Sequence, residues 1–151
     1  MYTMKTILHP TDFSELSTKV LQAALARAEA AGARLIILNV REPQEVVEGE
    51  FGMPAPEPEP SDEAVLSDLE SLVPADTKVP VEAMLAFGVV NEEIVRVANE
   101  RHCDLIMLAS HGREGFFSRL FHANVAEHVK KDAGCQVIAM TEAESSEPVN
   151  A

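Results

Sequence analysis

The sequence predicts an open parallel β-sheet with helices on both faces, and three observations predict it. Short apolar runs of strand length alternate with helix-length amphipathic stretches along the chain. The runs are continuously apolar, as strands covered on both faces are. The connections are long enough for the helical crossovers that parallel pairing requires. Counting the runs gives five strands in a single domain over residues 1–141, and the polar stretch 142–151 is expected to be a disordered tail.

The first run is Thr6-Ile-Leu-His9, stopped by Pro10, which cannot donate to a ladder. Asp12, with Glu15 three residues on, has the spacing of a capping box and is expected to start a helix. Leu16, Val20, Leu21, Ala24 and Ala28 keep one face of that helix apolar, and Gly32 supplies its stop. Leu35 to Val40 is the second strand. Residues 41–60 carry five prolines and six glutamates, too little apolar surface to offset chain entropy, so an acidic mobile loop is expected within the domain. Ser61 caps the next helix, with Val65, Leu66, Leu69, Leu72 and Val73 facing inward. Val81 to Phe87 reads as the third strand, closed by Gly88, and Asn91 is expected to cap a helix carrying Ile94, Val97 and Ala98. Leu105 to Ala109, a helical pattern from Ser118 to Lys131, and Val137 to Met140 complete the order.

Composition excludes several classes of function. Hydrophobic residues make up 46% of the 151, enough for a packed core without metal or disulfide. A net charge of −13 repels a phosphodiester backbone, so no nucleic-acid partner is expected. No apolar run is long enough for a membrane span or a signal peptide, so a cytoplasmic protein without membrane contact is expected. Two lone cysteines fit a reducing compartment. Cys103 and Cys135 each stand just before a strand. If those strands are neighbours the thiols can lie close, although two inert, partly buried thiols are the favoured reading even then.

The chemistry-bearing segments are Pro10-Thr11-Asp12 and Ser110 to Gly115, both at carboxyl ends of strands, where open sheets bind ligands. Gly112 and Gly115 leave a strand just before a helix amino terminus, an arrangement suited to phosphate, although an ordinary tight turn also explains them. Arg113 and Arg119 can neutralise an anion or simply be solvated. Asp12 can bond a ribose, cap a helix, or both. The five histidines share no ligand frame with Cys or carboxylate, so no metal site is expected. No serine or cysteine has a nucleophile's local setting, so no catalytic residue is expected. Slow ATP hydrolysis stays open, with His111 as its only candidate base near the loop.

Met4 to Ser14, Leu35 to Val40, Gly88 to Ile94, Cys103 to Arg113, Ser118 to Glu127 and Cys135 to Ile138, in that order, resemble the universal stress protein family over residues 4–140. The resemblance implies an adenine-nucleotide alpha-hydrolase-like sheet in the order 3-2-1-4-5. It also implies a homodimer through the last strand (Val137, Ile138, Ala139, Met140), and a stress-response regulator that binds ATP or AMP, with Mg2+ for a triphosphate. The residues it assigns to the nucleotide are Pro10, Thr11, Asp12, Val40, Ala109, His111, Gly112, Arg113, Gly115, Ala123, Asn124 and Val125. The nucleotide-binding branch has Gly-x-x-Gly, nine residues, then Gly-Ser or Gly-Thr. Here Ala109 stands for the first glycine, Gly112 matches the second, ten residues follow, and Ala123-Asn124 replaces Gly-Ser. Those departures leave a second expectation: a family member without nucleotide, acting on an unknown protein partner.

Overall fold

A computed structural model describes residues 3–43, 58–110 and 123–142, with only the main chain of Ala123 and Asn124. Among the described residues nine elements alternate: β1 (Thr6–Pro10), α1 (Glu15–Ala31), β2 (Arg34–Arg41), α2 (Asp62–Ser71), β3 (Val81–Phe87), α3 (Val90–Glu100), β4 (Leu105–Ala109), α4 (Ala123–Asp132) and β5 (Gln136–Met140). The strands form one all-parallel sheet in the order β3-β2-β1-β4-β5, as the resemblance implied. Most of the 41–60 loop (44–57), the tail beyond Glu142, and residues 118–122 of the expected last helix lie outside the described residues.

The continuously apolar strands follow from burial on two faces. One core joins Leu8, Ile36, Leu38 and Ile106 to Ile94 and Val97 of α3 and to Val125 and Val129 of α4. The other joins Ile7, Leu35, Ile37, Leu105 and Met107 to Val20, Leu21, Ala24 and Ala28 of α1 and to Leu69 of α2. Successive residues of each strand therefore feed opposite layers, and α1 and α2 cover one face while α3 and α4 cover the other.

Helix ends show where the sequence was read well and where it was not. Gly32 ends α1 in the left-handed region (φ 65), with Ala33 N–H donating to the Ala28 carbonyl at 2.8 Å. Ser61 caps α2 through the Ala64 N–H at 3.1 Å. Asn91 is not a cap: α3 begins at Val90, Asn91 lies inside it, and the capping position, Val89, offers no side-chain acceptor. The helix starts earlier because Val90 is buried and packs in the core with Ile94 and Val97, an apolar anchor that outweighs a polar cap. Just before it, Gly88 holds φ 142, where a Cβ would stand 2.9 Å from Glu93 Oε1.

Candidate functional site

The strand order reverses its winding between β1 and β4, and an open sheet forms its ligand crevice outside the carboxyl ends at such a point. The seam there is short. Ile7 pairs with Leu105 and Leu8 with Ile106, and the ladder stops, whereas β1 stays paired to β2 as far as Pro10 with Leu38. His9 fills the seam beyond the last rung. It is fully buried, and its Nδ1–H donates to the Met107 carbonyl at 2.9 Å. Its Nε2 has no hydrogen-bond partner among the described residues. Burial pushes the imidazole pKa down to about 4, against smaller upward pulls from the Met107 carbonyl and Asp12. The ring is therefore neutral around pH 7.

The turn that leaves β1 is braced at every residue. Thr11 N–H donates to the Leu38 carbonyl at 2.8 Å, and the buried Asn39 amide donates to the Thr11 carbonyl at 2.9 Å. Thr11 Oγ1 accepts from the Phe13 N–H. Asp12 Oδ1 accepts from the Ser14 N–H at 2.9 Å and from Ser17 Oγ at 2.7 Å. These bonds correct the expected capping box. The cap of α1 is Ser14, whose side chain accepts from the Ser17 N–H. Asp12 sits two residues too early because Phe13 takes a left-handed conformation (φ 65) and delays the helix. A non-glycine residue held at positive φ is a local strain of the kind that collects around binding sites.

Pro10 ends β1 with Thr11 and Asp12 just after it, Val40 lies one residue from the end of β2, and Ala109 ends β4, so these five share the carboxyl edge of the sheet. Val40 and Ala109 are buried, and Val125 of α4 packs in the same core as Val40 and Leu108. His111, Gly112, Arg113 and Gly115 lie outside the described residues, as do the side chains of Ala123 and Asn124. Among the described residues, no three His, Cys, Asp or Glu side chains group as metal donors, and no helix is long and apolar enough to cross a membrane.

The sequence reading missed three features. Asn39, inside an apolar run, is a strut for the β1 turn; a polar residue buried in such a run is the signal that could have found it. His9 closes the seam, and its position at a strand end gave no hint of that. A cleft of about 450 Å³ also opens beyond the ends of β2 and β3, between Arg41–Pro43, Glu59, Asp62 and Phe87–Gly88. Arg41 is committed there: it bonds Asp62 Oδ1 at 2.6 Å and the Pro60 carbonyl at 2.7 Å, with Glu59 at 3.5 Å. It pins the start of α2 to the end of β2, so its charge is already matched locally.

Known proteins share the architecture. A universal stress protein solved in complex with cAMP superposes with a TM-score of 0.66 at 21% identity, covering 92% of this chain and 98% of that one. The Archaeoglobus fulgidus universal stress protein in complex with dAMP gives 0.59 at 20% identity, with 92% and 98% covered. UspA from Lactobacillus plantarum gives 0.63 at 20%, with 93% and 99% covered. At such identities the likeness establishes the fold. The sequence pattern of the Universal stress protein family matches residues 3–140, nearly the whole chain. On that match, with the five-stranded sheet and its crevice between β1 and β4, this chain belongs to the universal stress protein family.

Proposed function

We propose that this chain binds an adenine nucleotide, ATP or AMP, at the carboxyl ends of β1, β2 and β4 and acts in the cytoplasm as a stress-response regulator rather than a robust catalyst. One observation carries the reading: the Asp12 carboxylate is fixed in the reversal crevice by two hydrogen bonds, on a turn that Asn39 and Leu38 hold against β2. A carboxylate so held presents an acceptor to ribose hydroxyls without first losing side-chain entropy, and the neighbouring buried Val40 offers apolar contact to a base. The donor set suits the adenosine half of the ligand. Phosphate contacts would come from Gly112, Arg113, Gly115 and Asn124, with Mg2+ balancing a triphosphate's charge. His111, Ala123 and the buried Val125 would complete the wall. Relatives solved with cAMP and dAMP support the class of ligand. Freshly purified protein, denatured and its supernatant chromatographed, should release an adenine nucleotide; protein free of nucleotide that also takes none up would overturn the proposal.

One observation favours a second reading. Ala109 ends β4 where the nucleotide-binding branch has glycine, and its added methyl would hinder a close approach of that backbone to phosphate. On that reading the chain acts only through an unknown protein partner. Deleting Glu114 and introducing Ala123→Gly and Asn124→Ser restores the family spacing. ATP affinity gained by that variant over an inert parent would favour the second reading.

A further inference from the structure

Cys103 and Cys135 stand at the opposite end of the sheet from the crevice, and the function above uses neither. Both are free thiols. The β4–β5 register begins at Leu105 with Gln136, and Cys103 and Cys135 lie in the two segments that lead into that first pair, two residues and one residue before it. Parallel strands lie about 4.8 Å apart, so the segments that enter β4 and β5 run side by side. A disulfide needs roughly 4.4–6.8 Å between Cα atoms. Both side chains also reach the same core: Cys103 is buried in it, and the half-buried Cys135 packs against it. Both thiols therefore face one layer from the entries to adjacent strands.

We propose that Cys103 and Cys135 are a redox pair that closes to an intramolecular disulfide across the amino ends of β4 and β5 when the protein meets a low-molecular-weight disulfide. The half-buried Cys135 is the entry thiol. As thiolate it attacks the oxidant RSSR, forming a mixed disulfide and releasing one RS−. Cys103, as thiolate, then attacks the Cys135 sulfur, the protein disulfide forms, and the second RS− leaves. Both leaving thiolates take up the protons the cysteines gave, so two protein thiols are oxidised and RSSR is reduced to two RSH. The bond would place residues 104–134 in one covalent ring, which holds β4, α4 and the whole stretch between them. The pair is set against casual oxidation. Burial, then Cys135 and Asp104, push the Cys103 pKa up to about 11, while Arg34 and Arg101 pull it down. Burial and Asp104 also raise that of Cys135. Closure should therefore be slow at neutral pH and quicken about tenfold per pH unit between roughly 7 and 9.

The test incubates the native full-length protein with excess oxidised glutathione and follows intact mass and digested peptides. The expected product is lighter by two hydrogens, with one peptide linking Cys103 to Cys135. Under the same conditions Cys103→Ser should hold one glutathione on Cys135, and Cys135→Ser should leave the buried Cys103 unmodified. Wild-type protein that keeps a glutathione adduct without the linked peptide, cross-links between chains, or retains two free thiols where a surface-cysteine control protein is oxidised would overturn the proposal.

Discussion

At the scale of residues, the site is a matter of where single hydrogen bonds go. Ser14, not Asp12, satisfies the first turn of α1, and that division of labour can be measured. Ser14→Ala should cost about 1 kcal/mol of stability, the usual worth of a serine cap, with nucleotide affinity largely kept. Asp12→Ala should lower nucleotide affinity at least as strongly as it lowers stability; chemical denaturation and calorimetry on both variants separate the two roles. His9 carries a pH signature. Its folded pKa lies near 4 and its unfolded value near 6.5, so the unfolded chain binds the extra proton between those values. Stability from the neutral imidazole is complete above about pH 6.5 and is lost as pH falls to about 4, by about 3 kcal/mol in total. Urea unfolding at pH 7 and pH 4 should show that loss, and His9→Leu should reduce it. An unchanged pH dependence in the variant would remove His9 from the account.

At the scale of elements, the strands were legible because burial on both faces leaves a plain mark: Leu35 to Val40 is apolar without a break apart from Asn39, and β2 extends it by one residue at each end. Gly32 and Ser61 were legible for the same kind of reason, since a left-handed stop and an oxygen cap each demand a particular residue type. Asp12 and Asn91 misled because several polar residues near a helix start satisfy the same local rule, and the choice among them was made by Phe13's backbone and by Val90's packing. The seam at His9 and the cleft at Arg41 and Phe87 were not legible at all, since each joins segments far apart in sequence.

Strand β5 illustrates a further point at this scale. It is the sheet edge, with half-buried Val137, Ile138, Ala139 and Met140, and an exposed apolar edge invites pairing. The Met140 carbonyl accepts from the Ser110 N–H, so Met140 faces β4, and by alternation Ile138 does too. The outward main-chain groups are those of Val137 and Ala139. If a twofold pairs this edge with its copy, Ala139→Pro removes an outward donor and should shift dimer towards monomer while β4–β5 stays intact. Light scattering at tens of micromolar checks this; a parent protein already monomeric there would remove the proposed interface.

At the scale of the whole molecule, a nucleotide would have to approach a chain of net charge −13 against its field. Arg41 is matched by Asp62 and Glu59, so on the proposed reading a triphosphate would need added Mg2+ to balance its charge. AMP should therefore depend on magnesium less than ATP does, and added salt should weaken the field's opposition to both. The most direct measurement of the central claim is isothermal calorimetry of ATP and AMP, with magnesium, into nucleotide-stripped protein. The account predicts saturable heat with about one nucleotide per chain, sharply reduced in Asp12→Ala. Folded protein that gives no heat with either nucleotide at millimolar concentration would contradict it.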